Sequence, residues 1–171
     1  MGTAQENFDK GVELRLQGNE AFKKQDLKQA LTHYYNALLH LKAVGGQKEE
    51  SKFKNQSSEQ LVMIYNNMSA VFAKQDRWDR VLFYATKANE LDPTNTKSKF
   101  RMGQAHLRTE NIELAKSLLE DVLKQNPGDA LVKQELAKVT AANKSMDEKE
   151  KLIYRAMMTK LAQEKNKVEN K

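Results

Sequence analysis

The chain has 171 residues, a formal charge of +6 and no cysteine, which excludes a disulfide framework and a cysteine-ligated metal. Charged residues make up 30% and hydrophobic residues 39%, with only two prolines and seven glycines; this mix suits an all-helical chain forming one domain, or one domain with a tail. No apolar run reaches the ~20 residues of a bilayer-crossing helix. The first ten residues are polar and include Glu6 and Asp9, unlike a signal peptide, so the expected location is the cytoplasm. His33, His40 and His106 are scattered, and no metal or cofactor site is expected. The positive charge suits an acidic partner. It is interleaved with acids and lacks an aromatic-glycine platform, so nucleic acid is not the expected ligand, and neither is a membrane.

In chain order, residues 1–10 read as a mobile arm. A helical pattern begins at Gly11 and runs through Leu14, Gly18, Ala21 and Phe22, with a break at Gln25-Asp26. Leu27, Ala30, Leu31, Tyr34, Ala37, Leu38 and Leu41 recur at three- and four-residue steps, which predicts a second helix, stopped by Gly45-Gly46. The polar stretch Gln47–Ser58 reads either as a loop or as the frayed ends of two longer helices. A helix then starts near Ser58 with Leu61, Ile64, Tyr65, Met68 and Phe72, and breaks at Gln75-Asp76-Arg77. Trp78, Val81, Leu82, Ala85, Ala88 and Leu91 form the next, ended by Asp92-Pro93. Phe100, Met102, Ala105 and Leu107 precede a break at Glu110-Asn111. Leu114, Ala115, Leu118, Leu119, Val122 and Leu123 follow, ended by Asn126-Pro127-Gly128.

The two-helix unit repeats. Ala88 and Val122 are 34 residues apart, as are Pro93 and Pro127, and Ser69 and Gly103. Gly18 precedes Ser69 by 51 residues, which is the same period plus a 17-residue insertion in a polar connection that can lengthen at little cost. Small residues recur where the paired helices meet (Gly18 and Gly103 on the first helix, Ala30 and Ala115 on the second). Leu27, Trp78 and Ile112 are the bulky residues that start the second helices. Repeat two departs at Ser69 and Val81, and repeat one lacks the terminal proline.

A 34-residue helix-turn-helix period resembles the tetratricopeptide repeat (TPR). The resemblance implies a right-handed α-solenoid of three repeats and a long seventh helix, with a concave surface lined by the first (A) helix of each pair. The expected divisions are repeat 1 at 11–44, an insertion at 45–61, repeat 2 at 62–95, repeat 3 at 96–129, and a capping and extension helix at 130–171.

In that register five polar residues fall on A helices: Arg15 and Asn19 on the first, Asn67 on the second, Lys97 and Arg101 on the third. Lys97 and Arg101, four residues apart, leave one face of a helix, where their mutual repulsion brings folding no benefit. The pattern resembles the two-carboxylate clamp of chaperone-binding TPR domains, which reads Lys-x-x-x-Asn, Asn and Lys-x-x-x-Arg. Arg15 stands where that family usually has lysine, which keeps the charge and changes the reach. Ala70, Ala73 and Lys74 match residues lining that family's groove. The resemblance implies a co-chaperone adaptor that binds the C-terminal Glu-Glu-Val-Asp of the 90-kDa heat-shock chaperone, or of its 70-kDa counterpart. A terminal aspartate offers two carboxylates to these nitrogen donors, and such charge-assisted bonds are worth about 1.5–3 kcal/mol each. A generic repeat scaffold is the alternative.

The segment Lys151–Ala162 resembles the last helix of the large immunophilins, as does the long insertion in the first repeat. Those proteins carry a prolyl isomerase domain upstream. Ten residues before the first repeat are too few to hold it, so catalysis is not expected of this chain, and the chain reads as a stand-alone relative or as the repeat module of a larger isomerase. The last helix is basic and amphipathic, with Leu152, Met157 and Leu161 as anchors. It reads either as a cap packed back on the last repeat or, as the resemblance implies, as a calmodulin-binding helix.

Overall fold

The computed structural model describes residues 2–44 and 50–171. Among them run seven helices: α1 Ala4–Lys23, α2 Leu27–Val44, α3 Glu50–Lys74, α4 Trp78–Leu91, α5 Thr96–Arg108, α6 Ile112–Gln125 and α7 Ala130–Glu169. Each helix packs on the next. In addition, α1 meets α3, α3 meets α5, and α5 meets α7, so the odd-numbered helices share one face of the stack.

The repeat is visible in the backbone. Gln25, Asp76 and Glu110 adopt left-handed φ values of 60°, 55° and 65°, once per hairpin, 51 and 34 residues apart. This conformation ends the A helix and turns the chain back. Leu27, Trp78 and Ile112 then begin the three B helices. Inside each hairpin a small residue permits close approach. A Cβ on Gly18 would lie 2.5 Å from Tyr34 Cε1, and one on Gly103 would lie 2.8 Å from Leu119 Cγ. Ala30, Ala37, Ala85, Ala88 and Ala115 are fully buried for the same reason. At Ser69, where repeat two departs from glycine, the hydroxyl is buried and donates to the Asn66 carbonyl at 2.7 Å.

One core runs through α1 to α4, including Tyr34, Leu41, Ile64, Met68 and Phe72. A second lies under α5 to α7, with Leu119, Val122, Val132 and Val139. Burial of apolar surface on this scale drives the stacking, since no single hairpin covers its own apolar face.

Three expectations are corrected. Residues 4–10 are not an arm but the first turns of α1. Thr3 and Glu6 form a capping box, with Glu6 N–H donating to Thr3 Oγ1 at 3.2 Å and Thr3 N–H to Glu6 Oε2 at 2.8 Å. Asn7 is buried, its Oδ1 3.0 Å from His40 Nδ1, and the Phe8 ring stacks on Phe53 with centroids 5.4 Å apart. The second A helix likewise begins at Glu50 rather than near Ser58, because Phe53 is buried with Ala4 and Val44. The predicted stop at Gly45-Gly46 lies outside the described residues. Finally, α7 does not pack back on the last repeat along its length. Its 40 residues span about 60 Å. Val132, Glu135 and Val139 are buried, whereas every residue from Lys144 onward is exposed.

Candidate functional site

Asn19 on α1 is the hinge point of the groove. Its Oδ1 accepts from the Tyr34 hydroxyl at 2.7 Å and from Asn67 Nδ2 at 2.9 Å. These two bonds fix the orientation of the amide, whose N–H2 end is its donor end. Burial pushes the Tyr34 hydroxyl up to about 12, against the opposing pull of the Asn67 amide and the Arg15 guanidinium charge. Arg15 therefore lies within electrostatic reach of the same cluster. It is half-buried and donates from Nε to Gln60 Oε1 at 2.7 Å, across to α3.

Asn67 carries the cluster over to α5. It lines a cavity of about 370 Å3 together with Asn66, Ala70, Lys97, Phe100 and Arg101. The start of α5 is anchored there by Asn95, whose Oδ1 caps Ser98 N–H at 2.9 Å and accepts from Asn66 Nδ2 at 3.1 Å. That cap sets Lys97 and Arg101 beside α3. Lys97 is exposed; Arg101 is half-buried, and burial depresses its pKa against the raising effect of Glu135. The Arg101 guanidinium donates to Gln104 Oε1 at 3.0 Å.

Among the described residues, none of Arg15, Lys97 and Arg101 forms an ion pair with a carboxylate. Of the three, Lys97 and Arg101 line the cavity and Arg15 does not; the lining also carries Asp129, whose Oδ1 accepts from the Leu131 and Val132 N–H groups. An anion bound there would relieve the repulsion between the two cations. No group of three metal-ligating side chains occurs among the described residues.

The structure thus brings Asn67, Lys97 and Arg101 round one cavity and bonds Asn19 to Asn67, with Arg15 at the α1 end. Of the three groove residues expected beside them, Ala70 lines the cavity. Ala73 instead packs against the core, and Lys74 holds its Nζ 4.7 Å from the Phe22 ring centroid. Sequence reasoning missed the supports: Gln60, the Tyr34 hydroxyl, Asn66, Asn95, Gln104 and Glu135. Tyr34 was legible only as a core position. Periodicity carries no signal for the rest.

The family described as "protein of unknown function (DUF2753)" matches residues 13–153, and the chain belongs to that family. The chain is 29% identical over 168 residues to the Homo sapiens peptidyl-prolyl cis-trans isomerase FKBP4, across 96% of this chain and 35% of that protein. It thus spans about a third of that relative's length. Its fold matches the C-terminal TPR-containing domain of a Plasmodium falciparum FK506-binding protein, with a TM-score of 0.80 at 19% identity over 86% of this chain and 97% of the other. It also matches the first TPR domain of Spaghetti (RPAP3), solved bound to the HSP90 peptide SRMEEVD, with a TM-score of 0.64 at 20% identity over 79% of this chain and 94% of the other. The fold is a TPR solenoid.

Proposed function

We propose that this member of the DUF2753 family is a co-chaperone adaptor module that grips the free C-terminus of a heat-shock chaperone. The ligand is a Glu-Glu-Val-Asp tail, of the 90-kDa or the 70-kDa chaperone, held through its two terminal carboxylates. Arg15, Asn19, Asn67, Lys97 and Arg101 are the donors. Ala70 leaves room for the peptide. The observation that carries this reading is the Asn19–Asn67 bond, which ties α1 to the cavity that Asn67, Lys97 and Arg101 line. The solved RPAP3 complex, with its HSP90 peptide, supports the ligand class. The role is binding in the cytoplasm rather than catalysis.

The test is the affinity for a peptide ending in Glu-Glu-Val-Asp, expected in the micromolar range, roughly −8 kcal/mol. Lys97→Ala and Arg101→Ala should each weaken it about 10- to 100-fold, the worth of one charge-assisted contact, with helical content retained. Wild-type affinity in either variant overturns the reading.

The alignment with a prolyl isomerase about three times as long favours a second, compatible reading, in which this module serves an isomerase encoded in a longer chain. Finding that longer reading frame tests it. Calmodulin is the partner proposed for the distal part of α7, where Leu152, Met157 and Leu161 are exposed. Calcium-dependent binding lost in Met157→Glu would support it, and no binding at micromolar calmodulin would dismiss it.

A further inference from the structure

Among the described residues Glu135 is the buried acid. It is 5% exposed, on α7, and accepts from Lys138 Nζ at 2.9 Å, Gln104 Nε2 at 3.2 Å and Arg108 at 3.4 Å. Gln104 on α5 turns its other end to Arg101, accepting from the guanidinium at 3.0 Å. We propose that Gln104 and Glu135 are positioning residues that aim the Arg101 guanidinium into the groove, so that the seventh helix completes the anion site.

The chemistry of a carboxamide makes the chain directional. Its N–H2 end only donates and its carbonyl end only accepts. A carboxylate accepts only, so Glu135 claims the N–H2 end of Gln104. The carbonyl end is then turned to Arg101, which can only donate. Without Glu135 the amide could rotate and present its own N–H2 to the guanidinium, donor against donor. The neutral spacer matters equally. Glu135 already faces two cations, Arg108 and Lys138, and its hydrogen-bond path to Arg101 runs through Gln104, its charge adding only a longer-range attraction that favours the charged guanidinium. Arg101 is thus oriented without being neutralised, and its charge stays available to a ligand. An acid in direct contact would compete with the ligand's carboxylate instead. Preorganisation of this kind lowers the ordering cost of binding.

The inference rests on the anion-site reading, and a double-mutant cycle separates the two. Titrations of the heptapeptide SRMEEVD, followed by NMR shifts so that weak binding is still read, would compare the wild type, Gln104→Met, Arg101→Ala and the double variant. Gln104→Met keeps the side chain's length and removes both hydrogen bonds. It should weaken binding roughly tenfold in the wild-type background and have no effect in the Arg101→Ala background, a coupling of about 1.4 kcal/mol. Glu135→Gln should weaken binding in the same background-dependent way. Gln104→Met with wild-type affinity, while Arg101→Ala loses binding, overturns the positioning role and leaves the anion site standing. Equal weakening by Gln104→Met in both backgrounds marks a general structural effect and overturns it too. Wild-type affinity in Arg101→Ala removes the anion-site reading itself.

Discussion

Asn67 on α3 donates to Asn19 on α1 across 2.9 Å, and the same Asn19 oxygen accepts from the Tyr34 hydroxyl on α2. One side-chain oxygen thus ties together three helices of two repeats at the head of the groove. Asn19→Ala should cost both stability and binding, because it strips the Tyr34 hydroxyl of its acceptor. A buried donor left unpaired costs about 1–3 kcal/mol, measurable by urea unfolding. Tyr34→Phe in the Asn19→Ala background should recover part of that loss.

Close approach within the hairpins is the second point of leverage. Gly18→Ala drives a methyl against the Tyr34 ring, which is closed in by the core on its other side. The expected loss is about 1–3 kcal/mol. Gly128→Ala, with nothing within 4 Å of its Cβ, should leave the thermal midpoint within a degree or two of wild type.

Acid sensitivity follows from Glu135. Burial raises its pKa, but hydrogen bonds from Lys138 and Gln104 and the charges of Arg108 and Lys138 outweigh burial and hold it below the ordinary 4.5. A carboxylate with a depressed folded pKa contributes stability above its unfolded pKa and loses it as pH falls through the folded value. Unfolding measured between pH 6 and pH 3 should therefore steepen below about 4.5, and Glu135→Gln should flatten that slope.

The distal part of α7 is exposed along its length, from Lys144 onward. Leu152, Ile153 and Tyr154 are each more than 60% exposed. Deleting residues 146–171 should leave the thermal midpoint of the repeats unchanged, as read by circular dichroism. By contrast Leu119→Ala, at a fully buried position, should cost about 2–5 kcal/mol.

Much of the architecture was readable because a 34-residue repeat must satisfy the same packing demand each time. The small residues Gly18, Gly103, Ala30 and Ala115 stand where helices touch, and Leu27, Trp78 and Ile112 open the B helices. The five donors fell on A helices by the same register. What escaped was decided by distant contacts. Residues 4–10 look polar in sequence, yet Asn7 finds His40 and Phe8 finds Phe53, each more than 30 residues away. The start of α3 was hidden likewise, since Phe53 is one apolar residue in a charged stretch. Gln104 and Glu135 carry no periodic signal, because their roles arise only where α7 crosses α5. The apolar stripe of α7 fits a buried helix and an unpartnered one equally well, and only the three-dimensional arrangement tells them apart.

The most direct measurement compares one heptapeptide, SRMEEVD, as its free acid and as its C-terminal amide, titrated calorimetrically into the wild-type chain. Two carboxylates held by Arg15, Asn19, Asn67, Lys97 and Arg101 predict micromolar binding of the acid and a loss of about tenfold or more on amidation, the worth of a charge-assisted contact. Equal affinity for acid and amide, or no binding of either, would contradict the account.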